Sequence, residues 1–258
     1  MVLTINIGNT SMTLGAYNDI ENRKVFSFGI NKNMTSDDFA MTFLMTLKIH
    51  KLDNDIKGIV FSSVCPTLSR TVTDAIQKVF GIKPLIIGPG IKTGLNIKIN
   101  DPSELGSDLV CMSSGVIYKY KLPAILICID NATTFSYIDE NGAYRGTIIY
   151  AGMNTMLESL VDNADLLKSV SFTAPGKFIG TDTPESIQSG LIYGSASVVE
   201  GIINRMLKEF NPLSIVTTGC YSERLLPYIE RKIEYDEYLL TDGMYHIYAK
   251  QKKGYNHI

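Results

Sequence analysis

Near the start of the chain Ile5 and Ile7 alternate with Asn6 and Gly8. A two-residue period is the mark of a strand with one face turned to a core. Read onward, the pattern predicts opening strands at 2–7, 12–17 and 24–30. Thr35-Ser36-Asp37-Asp38 then offers a helix cap ahead of the apolar run Phe39–Leu44. Ile56–Phe61 reads as an apolar strand, Pro66–Phe80 as a helix with proline near its start, and Pro84–Ile87 as a short strand before the turn Gly88-Pro89-Gly90. A helix is predicted from Pro102 to about Tyr120. Strands follow at Pro123–Ile129, Thr133–Ile138 and Tyr144–Tyr150, the last two joined as a hairpin by Asp139-Glu140-Asn141-Gly142. Helices at about 152–168 and 184–210, a strand at 213–217, and helices at about 221–231 and 238–251 complete the chain. The order strand-strand-strand-helix-strand-helix-strand therefore occurs once, and much the same again from about residue 123. This predicts an α/β fold of two similar halves, 1–118 and 119–258, each a mixed sheet with helices and packed tightly, because no Pro/Gly linker separates them.

Composition narrows the function without naming it. The 258 residues accommodate one large domain or two, and 45% hydrophobic against 19% charged residues is ordinary for a globular core. A net charge of −2 and a pI of about 5.9 leave no electrostatic footprint for nucleic acid. No 18-residue apolar run and no basic-then-apolar start are present, so neither a membrane span nor a signal peptide is expected, and a cytoplasmic location is. Cys65, Cys111, Cys128 and Cys220 are widely spaced and read as free thiols. His50, His246 and His257 read as surface or helix-end residues.

The chemistry-bearing signal begins at Ile7-Gly8-Asn9-Thr10, a tight turn between two strands. Glycine there permits positive φ and close backbone approach, and the turn amides with the Thr10 hydroxyl can face a phosphate. Further stretches in order are Ser62-Ser63-Val64, Gly88–Leu95, Gly106-Ser107-Asp108, Ala132-Thr133-Thr134-Phe135, Ile179-Gly180 with Thr183–Gly190, and Thr218-Gly219. Together they resemble the type III pantothenate kinases, of the sugar-kinase/actin-like ATPase superfamily, over nearly the whole chain. The resemblance implies two ribonuclease-H-like halves with a nucleotide cleft between them, and a homodimer with the active site at the subunit interface. It implies ATP with Mg²⁺, a monovalent cation (K⁺ or NH₄⁺), and phosphorylation of pantothenate in coenzyme A biosynthesis. By the same resemblance Asp108 is the catalytic base. Asn6, Gly8, Asn9, Thr10, Asn131, Thr133 and Gly219 contact the nucleotide, and Ile99, Gly106, Ser107, Leu109 and Thr183 contact the substrate. Asn6, Cys128 and Asp130 fall at metal positions. Plainer readings stand beside these. Asp108 could interact only with a helix dipole, Gly94, Gly180 and Gly190 could serve turns and packing, Thr133 and Thr134 could be ordinary strand residues, and Tyr245 and Tyr248 read as core or dimer contacts.

The chain departs from the family pattern at chemical positions. Asn6 stands for an aspartate, which removes a charge that favours Mg²⁺. Cys128-Ile129-Asp130-Asn131 stands for Asp-Phe-Gly-Thr, so a soft thiol replaces the cation-binding carboxylate, and Asp130 brings a charge near the phosphates. Leu109 stands for arginine, Ile99 for tyrosine, Cys220 for the second glycine of a Gly-Gly pair, and Ala151 for proline. Because Cys128 and Asp130 are two apart, a strand would put them on one face, and Asp130 could take over the cation role. These departures leave open a non-catalytic paralogue that binds a ligand or partner, and a kinase for another small hydroxylated substrate.

Overall fold

The computed structural model describes residues 1–52 and 55–255; His257 lies outside the described residues. The chain divides into two compact units. The first comprises 1–95, 100–119 and the chain from 238; the second comprises 96–99 and 120–237. This differs from the division 1–118/119–258. The last helix, counted with the second half in the sequence, packs with the first unit, and 96–99 joins the second.

In the first unit β1 (Val2–Ile7), β2 (Ser11–Tyr17) and β3 (Arg23–Gly29) form an antiparallel meander. Helix α1 (Ser36–Ile49) opens on a capping box in which the Thr35 side chain and Asp38 satisfy each other's backbone N–H groups. Strand β4 (Gly58–Ser63) pairs parallel with β1, α2 (Pro66–Phe80) follows, and β5 (Leu85–Ile86) pairs parallel with β4. The sheet order is β3-β2-β1-β4-β5. Leu3, Ile5 and Ile7 of β1 bury one face against Phe39, Phe43, Leu68 and Val72 of α1 and α2.

Strand β6 (Asn96–Ile97) belongs to the second unit, and α3 (Ser107–Lys119) to the first. The predicted helix from 102 is a 3₁₀ turn at Pro102–Glu104 and then α3, because Leu105 is extended.

The second unit repeats the first meander with β7 (Ala124–Ile129), β8 (Ala132–Ile138) and β9 (Ala143–Ala151). Helix α4 (Met153–Asp162) stops well before 168. The predicted 184–210 helix is α5 (Thr183–Ser189), a π-helical turn at Gly190–Gly194, and α6 (Ser195–Glu209). Strand β10 (Ser214–Thr218) pairs parallel with β7. The predicted 221–231 helix is only the short α7 (Ser222–Leu225) and a 3₁₀ turn at Leu226–Tyr228. Strand β11 (Glu234–Tyr235) pairs with β10, giving the order β11-β10-β7-β8-β9-β6. Ile125, Ile127 and Ile129 pack one face on Val199 and Ile203 of α6.

Helix α8 (Leu239–Tyr255) returns to the first unit and lies against α3, where added Cβ atoms on Gly115 and Gly243 would meet the Leu239 carbonyl at 2.6 Å and the Cys111 carbonyl at 1.9 Å. Only glycine allows two helix backbones to approach this closely. Its anchor is Asp242, fully buried, paired with Arg23 (3.2 Å) and Lys119 (2.7 Å) and accepting a hydrogen bond from the Tyr17 hydroxyl (2.8 Å). Tyr245, half-buried, stacks on the buried Tyr17 with ring centroids 4.7 Å apart.

Candidate functional site

In the first unit the candidate residues gather where β1 and β4 end. Asn6 is directly paired with Ser62 of β4, and paired neighbours share a sheet face. It is the face opposite Leu3, Ile5 and Ile7, and it looks toward α3: the Ser62 hydroxyl donates to Ser107 Oγ at 2.9 Å, and Ser107 Oγ donates to the Ser63 carbonyl at 3.0 Å. Ser107 therefore ties the start of α3 to the end of β4. One residue on, Asp108 Oδ1 accepts the Leu109 N–H at 2.7 Å. The leucine at 109 supplies this amide as any residue would. A Cβ on Gly106 would lie 2.7 Å from Asp108 Oδ1, so the glycine leaves the space that the carboxylate fills. Cys111, one turn further, is fully buried, and its thiol is pushed well above the usual range by burial, with Ser62 and the Asp108 charge nearby.

Gly8 does not adopt positive φ, contrary to the expectation for this turn. The turn closes through the Gly8 N–H to the Ser11 carbonyl at 2.8 Å, and an added Cβ would crowd that carbonyl at 3.2 Å. Close approach, not backbone hand, favours glycine here. Asn9 and Thr10 are exposed at its tip. Asn6 is 6% exposed, and its Oδ1 is buried without a hydrogen-bond partner among the described residues. Such an orphaned hard oxygen fits a ligand group not supplied by the protein.

In the second unit the corresponding turn is Asp130-Asn131, between β7 and β8. Asp130 Oδ1 accepts the Asn131 N–H at 2.8 Å and the Cys220 thiol at 3.3 Å. Partial burial, then the Asp130 carboxylate, push the Cys220 thiol up to about 12, so at neutral pH it is a protonated donor. Two of the departures from the family pattern, 90 residues apart in sequence, thus meet each other: the side chain at 220 turns to Asp130. The turn is held from both sides. A Cβ on Gly152 would fall 1.9 Å from the Asp130 carbonyl, and one on Gly219, at φ +103°, 2.4 Å from the Ile129 carbonyl. The Asn131 carbonyl accepts the Gly152 N–H at 3.0 Å and the Thr155 hydroxyl at 2.8 Å.

Cys128 pairs with Thr134 and Thr218 across its neighbouring strands, on the sheet face opposite Ile127 and Ile129. Thr134 Oγ1 is buried and unpartnered among the described residues. Thr133 pairs with Ile129 and shares the α6-facing side with Phe135, so its hydroxyl points away from Thr134's face. Sequence reasoning named Thr133 alone as a nucleotide contact and left the ordinary-strand reading open for both threonines; only the register separates them. Ile99 lies beyond β6, half-buried, where Lys98 N–H donates to the Tyr144 carbonyl at 2.9 Å. Thr183 opens α5, whose N-cap Asp182 accepts the Glu185 N–H at 2.8 Å. Thr183 lines a cavity of about 660 Å³ with Met156, Leu160, Leu167, Gly180 and Gly190. Gly180 packs against the α5 backbone, 2.3 Å from Ser186 N if given a Cβ, whereas Gly190 has open space on that side.

No group of three or more His, Cys, Asp or Glu residues able to hold a metal exists among the described residues. The oxygen donors instead fit a cation carried in with a ligand's own oxygens, as Mg²⁺ is with phosphates. The Cys128 sulfur does not fit a hard cation.

A family model described as type III pantothenate kinase matches residues 2–205. A type III pantothenate kinase of Dictyoglomus turgidum is 35% identical over 255 residues, covering 97% of this chain and 99% of that protein. One from Listeria monocytogenes is 35% identical over 254 residues, covering 98% of each. Among solved structures, the activator of the 2-hydroxyisocaproyl-CoA dehydratase from Clostridium difficile, with bound ADPNP, matches with a TM-score of 0.60 at 11% identity, covering 100% of this chain and 97% of that one. That likeness, shared with an Arthrobacter polyphosphate/ATP-glucomannokinase, is one of fold: the actin-like and sugar-kinase ATPase architecture.

Proposed function

The chain belongs to the type III pantothenate kinase family, and from that premise we propose that it transfers the γ-phosphoryl group of ATP to pantothenate, giving 4′-phosphopantothenate and ADP. The observation that carries the proposal is the placement of Asp108. Its carboxylate is set by the Leu109 N–H in the space that Gly106 leaves, on a helix tied to β4 through Ser107. A fixed carboxylate is suited to accept the proton of the substrate hydroxyl as that oxygen attacks phosphorus and ADP leaves.

The other roles follow the family positions. The Gly8–Thr10 turn and Asn6 are the family positions for the triphosphate in the first unit; Asn131 and Gly219 are those for the nucleotide in the second, where the Thr133 hydroxyl, turned to the α6 side, leaves only its backbone for that role. Gly106, Ser107, Leu109, Ile99 and Thr183 line the substrate. Mg²⁺, when bound with ATP, neutralises charge developing on the phosphates; Asn6 Oδ1 is the acceptor that would face it. Exposed apolar residues Ile149, Phe178 and Ile179, 69%, 68% and 77% exposed, support a homodimer that covers them. No described helix is long and apolar enough to cross a membrane, and the reading is of a cytoplasmic enzyme. The kinase names of the relatives favour catalysis; the non-catalytic reading gains no such support.

The test is a coupled ADP-release assay with pantothenate, Mg²⁺ and K⁺ or NH₄⁺. Pantothenate-dependent release is expected, and Asp108→Asn should lower kcat by about 10²- to 10⁴-fold while leaving the thermal melt in place. A folded protein that releases no ADP would sink the proposal.

A further inference from the structure

Helices α1 and α2 cover the same face of the first unit's sheet and touch through Phe43 and Phe80, with ring centroids 5.9 Å apart. Their outward faces differ. From Thr67 onward the exposed positions of α2 are Thr67, Arg70, Asp74, Gln77 and Lys78, the polar side expected of an amphipathic helix. On α1 the outward positions include Met41, Leu44, Met45 and Ile49, which are 58%, 49%, 44% and 64% exposed. Residues three and four apart lie on one side of a helix, so these four form one apolar stripe. The inner side of α1 is already filled by Phe39, Ala40, Phe43 and Leu47, so the stripe is surplus to the core. A contiguous exposed apolar patch of this kind marks an interaction surface.

Charge is divided along the stripe. Asp37 and Asp38 stand at its N-terminal end. Lys78 of α2 pairs with Asp37. Hydrogen bonds from the Thr35 N–H and hydroxyl hold the Asp38 carboxyl below the usual carboxylate range, so it is ionised at neutral pH. Lys48 stands on the same side, about 15 Å further along the helix. Just beyond it the Lys24 ammonium donates to the His50 carbonyl at 3.4 Å. A stripe that is acidic at one end, apolar in the middle and basic at the other is complementary to itself turned end for end. In an antiparallel pair each copy's Asp38 meets the other's Lys48, and Met41 meets Met45. Flexible methionines conform readily to such a contact.

We propose that the outer face of α1 is an interaction surface for a second copy of this chain, the two helices packing antiparallel through Met41, Leu44, Met45 and Ile49. Such a contact is isologous and closes on itself. Four side chains offer less than the ~800 Å² that each partner brings to a standard interface, so the contact is weak and depends on concentration. It differs from the homodimer that Ile149, Phe178 and Ile179 support, because those residues belong to the second unit. The inference does not rest on the phosphotransferase reading.

Sedimentation velocity across the micromolar range tests it, on the native protein, Met45→Glu, Lys48→Asp and the double variant Lys48→Asp/Asp38→Lys. The native protein should move with concentration to a species of at least twice the mass shown by Met45→Glu. Any dimer made through the second unit is common to both and cancels in that ratio. Met45→Glu puts an unpaired charge into the stripe and should weaken the association about tenfold or more. Lys48→Asp should weaken it about twofold to tenfold, since two equivalent pairs are lost, and the double variant should recover most of that loss. A native protein with the mass of Met45→Glu at every concentration overturns the proposal and leaves the stripe to a different protein or bare. A double variant that associates no better than Lys48→Asp also overturns it, because only self-complementary charges are restored by exchange. Should Met45→Glu fail to fold, the changes at exposed Lys48 decide: association in Lys48→Asp equal to that of the native protein overturns the proposal.

Discussion

At the scale of single residues, small side chains decide where charged ones sit. Gly106 exists to make room for Asp108: the 2.7 Å separation between its would-be Cβ and Asp108 Oδ1 is far inside contact distance. Gly106→Ala should therefore displace the carboxylate and lower kcat on the order of tenfold to a hundredfold, since misplacement of a reacting group by about 1 Å has that effect. The residue is half-buried near the start of α3, so the thermal midpoint should move little. A kcat unchanged beside a lowered midpoint would show that the glycine serves packing only. The closeness of Gly106 and Asp108 at the start of α3 and the tight turn at Gly8–Thr10 were legible from the order of the motifs. The union of Asp130 with Cys220 was not, because 90 residues separate them and neither has a local pattern that points to the other. Residue by residue they read as two separate losses; in space they are one hydrogen-bonded pair.

At the scale of elements, the least legible piece is the last helix. Its apolar pattern was enough to predict a helix at about 238–251, and the structure extends it over Leu239–Tyr255. Nothing in its own periodicity says which sheet it covers. Asp242 does so physically: a fully buried carboxylate needs partners, and Arg23, Lys119 and Tyr17 of the first unit supply them. Burial, more than any neighbour, raises the Tyr17 hydroxyl well above its ordinary value, despite its hydrogen bond with the Thr241 hydroxyl, which lowers it. In the unfolded chain that hydroxyl ionises near pH 10. The folded state thus holds its proton more tightly, and the stability Tyr17 contributes is complete below pH 10 and lost as pH rises toward the folded value, by up to about 1.4 kcal/mol per pH unit. Urea denaturation of the native protein and Tyr17→Phe at pH 8 and pH 11 should show the stability gap between them narrowing at the higher pH. A constant gap would mean that the hydroxyl is not shielded. The elements that sequence reasoning missed, β6 and β11, are two residues each, too short to show any period. The overlong helices at 152–168 and 221–231 failed for the opposite reason: polar and apolar residues there satisfy a helical period that the packed chain does not use.

At the scale of the whole molecule, the two sheets repeat one topology. β3-β2-β1-β4-β5 and β9-β8-β7-β10-β11 are the same order of meander and parallel strands, with β6 added at one edge. A division at residue 118 nonetheless misassigns the chain's last helix, and this has a direct consequence. A fragment of residues 1–119 lacks α8, so Tyr17 and the α3 backbone at Gly115 lose their cover, while Arg23 and Lys119 lose Asp242. Such a fragment should show no cooperative thermal transition by circular dichroism; a sharp melt would mean that α8 is dispensable to the first unit. By itself the sequence determined the strand and helix types, the duplicated order and the family, because alternation, caps and glycine turns act between neighbours in the chain and so leave local marks. Tertiary structure alone decided which sheet α8 covers, which threonine of Thr133 and Thr134 shares a face with Cys128, and that Asp130 and Cys220 are partners. Those outcomes depend on register, burial and the need of buried polar groups for partners, which only the folded arrangement of distant segments can satisfy.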